Sequence, residues 1–288
     1  GSVVQLRGGQ EFVAEGIGMN GTIHPTAIVS SKAELDEGVA VGPYSIIEDE
    51  VFIGKNTVIG AYVRIFNCVR IGQDCRIYEN AVIGREPQDH SFHGEKTKVV
   101  VGDRTMIREG VTIHRATGEG QSTVIGDDVF LMEGVHVGHN VKIGNHVIVA
   151  NKTGLAGYCE IEDYANLGGI VGVHQFVKIG RLCMVGGLSK VVKDIPPFVL
   201  ADGRPARIYG INKVGLQRAG FDSTLRGHIK RIYKQFYHGG LPLRQAVEVI
   251  RKEGLDDPII AEIVGFFDRS KRGLVPWPGL RPFLGDVE

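Results

Sequence analysis

Residues 125–160 read IGDDVF LMEGVH VGHNVK IGNHVI VANKTG LAGYCE, six hexapeptides that each begin with an aliphatic residue. Gly, Asn or Asp follows that residue within three positions, and these residue types permit sharp turns and positive φ angles. A half-buried strand alternates every two residues and a helix repeats about every 3.6, so neither explains a period of six. The pattern predicts short strands joined by tight corners, with the aliphatic residues stacked inside a prism.

The same register extends through most of the chain in both directions. Aliphatic residues keep it from Ile23 to Val185, and across each interruption the spacing between aliphatic first residues is still a whole multiple of six. Coils of such a solenoid pair at about 4.8 Å and are stabilised by stacking on their neighbours. Proteins with this hexapeptide signature are left-handed parallel β-helices, so we expect a mainly β fold of that class. The handedness comes from this resemblance and not from the period.

Two polar segments interrupt the repeat, at residues 89–100 (DHSFHGEKTKVV) and about 117–124 (TGEGQSTV). Insertions in a solenoid leave the prism as loops on its flank, often on a binding face. The alternative, that they are tolerated surface insertions, stays open at this point.

The pattern changes at both ends of the repeat, which divides the chain into three parts. Residues 1–18 are interpreted as a tag or leader, with Met19 as a native start, and residues 19–200 as the β-helix. Residues 201–288 are expected to form an α-helical C-terminal domain. Within it, Asp222 or Ser223 is a candidate N-cap, and Asp257-Pro258 has the residue types of an N-cap and first helical position.

Composition excludes several classes of partner. The formal net charge is +0, which gives no support for nucleic-acid or bulk membrane binding, and no apolar run approaches the roughly 20 residues of a membrane span. The four cysteines have no CxxC spacing, so buried reduced thiols in a cytoplasmic protein are favoured over disulfides. A local excess of cations does stand near the end of the repeat, at Lys178, Arg181, Lys190, Lys193, Arg204, Arg207 and Lys213. It is interpreted either as a site for an acidic partner or as an ordinary solvated face.

Histidines are the candidate chemical groups because imidazoles titrate near neutral pH. They stand at His114, His136, His139, His146 and His174. Three interpretations remain open from the residues alone: surface histidines at prism corners, a metal site built from His136, His139 or His146, and acyl transfer with one imidazole as general base.

Several longer motifs occur together and in order. They are IREGVTIHRAT (107–117), LMEGVHVGHNVKIGN (131–145), VGVHQFVKIG (171–180), MVGGLSKVVKDIPPFV (184–199) and YGINKVGLQRAGF (209–221). Together they resemble the UDP-N-acetylglucosamine 3-O-acyltransferase family of lipid A synthesis, from about Ile23 to the RSKRG at 269–273. The resemblance implies transfer of a (3R)-hydroxyacyl chain from acyl carrier protein to the 3-position of UDP-N-acetylglucosamine. It also implies a cytoplasmic homotrimer that needs neither a metal nor an organic cofactor.

The resemblance also implies roles for individual residues. His139 matches the general base and Gly157 the backbone amide that stabilises the oxyanion, while Gly187 matches the position that limits acyl-chain length. The positions that match substrate contacts are Gln88, Asp89, His136, His174, Gln175, Asn212 and Arg218.

Four positions depart from the family pattern. The family Asp after the base is Asn140, a family His one coil later is Tyr158, a family Glu near the nucleotide is Val214, and a family Lys after the loop Asp is Ser91. These departures leave open a 3-amino UDP-sugar as acceptor, and the change at Asn140 leaves open a non-catalytic scaffold that binds the carrier. A metal-dependent protein similar to carbonic anhydrase, with His136, His139 or His146 as ligands, is the third alternative.

Overall fold

The computed structural model describes residues 21–254 and 256–278, so the interpretations of residues 1–18 and 279–288 lie outside the described residues. The first nine strands are β1 Ile28–Val29, β2 Glu34–Leu35, β3 Ala40–Val41, β4 Ile46–Ile47, β5 Phe52–Ile53, β6 Val58–Ile59, β7 Arg64–Ile65, β8 Val69–Ile71 and β9 Arg76–Ile77. The next nine are β10 Val82–Arg85, β11 Lys98–Val101, β12 Met106–Ile107, β13 Thr112–His114, β14 Ser122–Ile125, β15 Phe130–Leu131, β16 His136–Val137, β17 Lys142–Ile143 and β18 Ile148–Val149. The last nine are β19 Gly154–Leu155, β20 Glu160–Ile161, β21 Asn166–Leu167, β22 Gly172–Val173, β23 Lys178–Ile179, β24 Met184–Val185, β25 Lys190–Val191, β26 Val199–Gly203 and β27 Ala206–Ile211.

Each strand pairs in parallel with the strand three places later in the chain, and this pairing builds three flat sheets. Sheet 1 runs β1-β4-β7-β10-β13-β16-β19-β22-β25, and sheet 2 runs β2-β5-β8-β11-β14-β17-β20-β23. Sheet 3 runs β3-β6-β9-β12-β15-β18-β21-β24-β26, with β27 antiparallel at its end. A regular coil has 18 residues, as in the pairing of Ile28 with Ile46. The expected left-handed parallel β-helix is confirmed.

The core contains two inward positions per hexapeptide. The aliphatic first residue is buried throughout the middle coils, as expected, for example Val137 and Leu155. The fifth residue is buried too, and it is small, for example Val141 and Cys159. The sequence pattern of the first position alone did not indicate this second one.

Three of the four cysteines stand at that second inward position, which explains why they are buried. All four thiols are free. Burial raises the pKa of Cys75 to about 11 and that of Cys159 to about 12, so both stay protonated at neutral pH. They are small apolar core residues.

The corners differ from the sequence expectation in one respect. Positive φ falls on the fourth residue of the hexapeptide, mostly on non-glycine residues such as Tyr62, Asn140 and Tyr158. The glycine directly after the aliphatic residue is required by packing instead. A Cβ at Gly42 would lie 2.6 Å from the carbonyl carbon of Gly60 in the next coil.

The two interruptions leave the prism at the corner between sheets 1 and 2, called here the 1–2 corner. Loop 1 comprises residues 86–97 and loop 2 residues 115–121. Both end earlier than the expected 100 and 124, because β11 and β14 pair with each other over four residues, from Lys98–Ser122 to Val101–Ile125. The segments 98–100 and 122–124 are therefore strand.

The C-terminal part begins with a hairpin, which corrects the expectation of an α-helical domain from residue 201. Strands β26 and β27 continue sheet 3 to Ile211, because apolar residues there extend its core. The helices follow as α1 Lys213–Arg218, α2 Ser223–His238, α3 Leu243–Gly254 and α4 Pro258–Arg269. Asp222 caps α2 and Asp257 caps α4 with Pro258 at its first turn, as expected. Among the described residues, no helix has the length and apolarity to cross a membrane.

Candidate active site

A groove of about 510 Å³ lies on the outer side of sheet 1 beside the 1–2 corner, under loop 1. It is lined by Gln88, His114, His136, Gly138, His139, Gly154, Ala156, Gly157, Gly172, Val173, His174, Gln175, Lys190, Val191 and Val192. Six of the ten residues singled out in the sequence are in this set. Three of them, His139, Gly157 and Gln175, are each one 18-residue coil apart, so the period itself stacks them.

His139 lies at the centre of the groove, with 13% of its side chain exposed. Its Nδ1 is 2.9 Å from Oδ1 of Asn140, and its Nε2 is 3.7 Å from Oδ2 of Asp89 in loop 1. The ring of Tyr158 meets the imidazole edge-on at 5.2 Å between centroids. The imidazole is thus held from behind while Nε2 faces the groove.

Gly157 passes directly beneath the imidazole. A Cβ built there would lie 2.4 Å from Nε2 of His139, so any other residue at 157 would displace the ring. Within the described part of the chain, the N–H of Gly157 donates no hydrogen bond. A free backbone donor therefore lies beside the imidazole.

Asp89 presents a charged carboxylate to the same space. Its Oδ1 accepts a hydrogen bond of 3.0 Å from the N–H of Ser91. The pKa of Asp89 is lowered chiefly by the hydrogen bonds from Ser91, with a smaller contribution from the positive form of His139. The carboxylate is therefore ionised at neutral pH.

Two further histidines form the wall nearer the first coils. Nδ1 of His114 donates to the carbonyl of Glu86 at 2.5 Å, and Nδ1 of His136 lies 2.8 Å from Oγ1 of Thr112. Their rings meet edge-on at 5.2 Å. Burial lowers the pKa of both imidazoles, so they are neutral hydrogen-bonding groups at neutral pH.

The structure also contributes residues that the sequence interpretation did not assign to the site. Thr117 of loop 2 contacts Asn140, Asp89 and His139, and Lys190 lines the end of the groove nearest the helices. Lys190 could have been found from the period, because it pairs with Gly172 one coil on. Thr117 could not, because it stands in an interruption.

Three of the expected site residues lie away from this groove. Gly187 is at the corner between sheets 3 and 1, called here the 3–1 corner, and Arg218 is exposed at the end of α1. Asn212 is the N-cap of α1, where Oδ1 accepts from Gly215 N–H at 3.0 Å and Nδ2 donates to the carbonyl of Leu182 at 2.9 Å. His146 of the alternative metal set is also elsewhere, stacked on Tyr164 at the corner between sheets 2 and 3.

The comparisons with known proteins agree with this architecture. A family model described as bacterial transferase hexapeptide matches residues 50–85 and 122–157, and one described as UDP N-acetylglucosamine O-acyltransferase, domain 2, matches residues 194–275. The acyl-[acyl-carrier-protein]–UDP-N-acetylglucosamine O-acyltransferase of Thermodesulfovibrio yellowstonii is 46% identical over 88% of this chain and 98% of its own length. That of Burkholderia orbicola is 43% identical, again over 88% and 98%.

Solved structures give the same result. The UDP-N-acetylglucosamine acyltransferase of Francisella novicida is 35% identical with a TM-score of 0.87, over 90% of this chain and 95% of that one. The enzyme of Bacteroides fragilis is 38% identical with a TM-score of 0.84, over 88% and 100%. The solenoid with its polar groove defines a hexapeptide-repeat transferase. Within that class, the chain belongs to the UDP-N-acetylglucosamine O-acyltransferase family.

Proposed function

We propose that the chain transfers a (3R)-hydroxyacyl group from acyl carrier protein to the 3-hydroxyl of UDP-N-acetylglucosamine, an early step of lipid A synthesis, in the cytoplasm. The relatives that it matches over nearly their whole length carry the name of that acyltransferase. The observation that carries the assignment of the site is the position of His139, with Nε2 directed into a groove between a carboxylate and a free amide.

In the proposed reaction His139 is the general base. Its Nε2 takes the proton of the sugar 3-hydroxyl as the oxygen forms a bond to the thioester carbonyl carbon. The tetrahedral intermediate then loses the carrier thiolate as the carbon–sulfur bond breaks, and the proton passes from Nε2 to that sulfur. A base of this kind contributes roughly 10²–10⁴ in rate. The thioester is already activated, so the chemistry requires no metal or organic cofactor.

The N–H of Gly157 is the proposed donor to the oxyanion. At the corner between sheets 2 and 3, four backbone N–H groups at the equivalent hexapeptide position donate to a side chain in the next coil, such as Asp103 N–H to Asp127 at 2.8 Å and Asn145 N–H to Asp163 at 2.7 Å. Gly157 has no such acceptor among the described residues. A preorganised donor of this type contributes about 10²–10³.

The remaining groove residues are proposed to bind the acceptor and the acyl chain. Asp89 and Gln88 in loop 1 and the neutral His136 would contact sugar hydroxyls, and His174 with Gln175 would contact the sugar and the start of the acyl chain. All five groups border the same groove or His139 itself.

A homotrimer with shared sites is proposed because three expected residues lie away from the groove. Arg218 and Asn212 would bind the uridine diphosphate, and Gly187 would limit the acyl chain, each from the protomer adjacent to the His139 that it serves. The 3–1 corner carries exposed apolar side chains in support of such an interface: Tyr44, Tyr62, Ile170 and Leu188, each 51–58% exposed.

Acyl carrier protein is an acidic partner, and we propose that it docks on the exposed cations near the groove's end. Lys178 and Arg181 are removed from the expected set, because they pair with Glu160 and Glu262. Those that remain exposed are Lys190, Lys193, Arg204, Arg207 and Lys213.

The test is an assay of purified protein with (3R)-hydroxyacyl carrier protein and both the 3-hydroxy and 3-amino UDP-sugars, read by mass spectrometry. We expect acylated UDP-N-acetylglucosamine from the wild type and a loss of about 10²–10⁴ in rate for His139→Ala. Equal product from both proteins would remove His139 from the mechanism. Exclusive acylation of the amino sugar would reassign the acceptor, and activity that disappears with chelator and returns with zinc would favour a metal enzyme.

A further inference from the structure

The side-chain amide of Asn140 is paired with both polar groups of one backbone residue. The N–H of Thr117 donates to Oδ1 of Asn140 at 2.8 Å, and Nδ2 of Asn140 donates to the carbonyl of Thr117 at 3.0 Å. Asn140 is only 7% exposed. A backbone N–H can only donate and a carbonyl can only accept, so this pair fixes which amide atom is oxygen.

The orientation of that amide determines the protonation of the neighbouring imidazole. Nδ1 of His139 lies 2.9 Å from the same Oδ1, which is an acceptor. Nδ1 must therefore carry a proton, and in the neutral imidazole the lone pair is left on Nε2, the atom that faces the groove. We propose that Asn140, clamped by the Thr117 peptide, is the positioning residue that sets the tautomer of His139 without contributing a negative charge. This inference rests on the proposed role of His139 as base.

The Thr117 carbonyl explains why an amide and not a carboxylate stands here. A carboxylate at 140 could accept from the Thr117 N–H and from His139, but it has no proton to donate to the carbonyl. Two oxygens would then face each other at about 3 Å, a separation at which hydrogen-bonded atoms normally lie. The backbone conformation does not explain the choice of Asn over Asp at position 140. Its φ is +58°, and both residue types tolerate that region.

Because Asn140 is uncharged, the negative charge near His139 lies on the opposite side of its ring. Among the described residues, Asp89 is the carboxylate within 4 Å of His139, and it approaches Nε2 from loop 1. During the reaction the Nδ1 proton stays on Nδ1, in its hydrogen bond to Oδ1 of Asn140. The transferred proton enters and leaves at Nε2. The imidazolium is then balanced by Asp89 from the groove side, while Asn140 fixes the ring from behind.

Nitrogen-15 NMR of histidine-labelled protein tests the tautomer directly. Two-bond correlations distinguish a protonated ring nitrogen from one with a lone pair, and the spectrum of His139→Gln assigns the signal among the ten histidines. We expect a protonated Nδ1 and an unprotonated Nε2 in the neutral ring. A protonated Nε2 overturns the inference. This measurement needs no substrate, so it can fail while the acyltransferase assay succeeds, and the reverse.

Two variants separate a positioning role from a merely structural one. Asn140→Asp should keep the Nδ1–H tautomer but move the acid limb of the kcat/KM profile up by roughly one pH unit, because a new negative charge favours the protonated imidazole. Asn140→Ala should lose the tautomer preference and lower kcat by about 10², with KM for the sugar nucleotide nearly unchanged. Asn56→Asp, at the corner between sheets 2 and 3 with φ of +56°, is the control and should change neither readout.

The other titratable groups near His139 are Asp89 in loop 1, His114 in β13 and Tyr158 in the next coil, and none changes in these variants. The shift in Asn140→Asp therefore reports on residue 140. An acid limb that stays in place in Asn140→Asp, or a retained Nδ1–H tautomer in Asn140→Ala, contradicts the proposal. Should the alanine variant fail to fold by circular dichroism, the isosteric Asn140→Asp decides alone.

Discussion

Gly154 and Gly172 lie on the outer side of sheet 1, on the floor of the groove, and pair with each other across adjacent coils. A Cβ at either position would have no heavy atom within 4 Å. Their backbone angles are ordinary, and glycine within a strand weakens it. Packing within the chain therefore does not require these glycines, in contrast to Gly157. The space above them is left for a ligand.

Replacing Gly172 by Val should separate stability from binding. A β-branched residue suits a strand, so the midpoint of thermal unfolding should stay the same or rise. The new side chain would occupy the groove, so KM for a substrate should rise by about tenfold, the effect of losing roughly 1.4 kcal/mol of binding. Calorimetry and steady-state kinetics measure the two effects. Gly210→Val, on β27 where a Cβ also meets nothing, is the control. A lower unfolding midpoint with unchanged KM would contradict this interpretation.

The sequence could predict part of the site because the period converts spacing into position. His139, Gly157 and Gln175 differ by 18 residues, which is one coil, so their stacking follows from the repeat alone. Thr117 was not predictable, since an insertion has no register with the coils. The orientation of the Asn140 amide was not predictable either, because it depends on the loop that returns to it.

At the scale of elements, loops 1 and 2 act as one unit. The carboxylate of Glu95 in loop 1 accepts the N–H of Gly118 in loop 2 at 2.8 Å, and the N–H of Lys96 donates to Glu119 at 3.2 Å. A backbone bond of 3.0 Å from Gly120 to Lys96 joins the loops again. Because Asp89 is in loop 1 and Thr117 in loop 2, this connection fixes the groups on both sides of His139.

Lowering the pH should detach loop 2 before the solenoid unfolds. The hydrogen bond from Gly118, followed by that from His93, holds the pKa of Glu95 below its usual range. A carboxyl with a lowered folded pKa stabilises the fold above its unfolded pKa, and this contribution is lost as pH falls through the folded value. Hydrogen exchange of the Gly118 amide should therefore accelerate below about pH 4.5, relative to intrinsic rates.

Glu95→Gln tests the same contact at neutral pH. Its neutral amide is a weaker acceptor, so the Gly118 amide should exchange faster at pH 7 while the coil amides remain protected. Glu37→Gln, at an exposed carboxylate in the first coils, is the control. Unchanged protection of Gly118 in Glu95→Gln, together with unchanged protection of that amide from pH 7 down to about pH 3, would show that the loops are held by other contacts.

The sequence predicts individual strands well within the repeat and poorly beyond it. A period of six fixes each short strand, because every coil repeats the same environment. The hairpin of β26 and β27 was missed, since Val199–Gly203 and Ala206–Ile211 follow no repeat and stand in a Pro-rich transition. The helical caps at Asp222 and Asp257 were predictable because capping is local.

At the scale of the molecule, a single solenoid has a groove that is open along one side. The expected nucleotide ligands Asn212 and Arg218 follow the last coil, whereas His139 is three coils earlier, between β16 and β17. Stacked coils are rigid, so Arg218 cannot approach His139 of its own chain by bending the prism. We therefore propose that, when both act on one substrate, they come from adjacent subunits of a closed, symmetric assembly.

Hybrid trimers test this arrangement. His139→Ala and Arg218→Ala subunits with different affinity tags are each expected to be nearly inactive alone. In a trimer that contains both variants, one of the three sites takes His139 from one subunit and Arg218 from its neighbour, so about a third of the sites should be active by symmetry. The measurement is the specific activity of doubly tagged protein relative to wild type. Activity no higher than that of the separate variants would place both residues in sites built by a single chain. Arg218→Ala subunits that are fully active alone would remove Arg218 from the site.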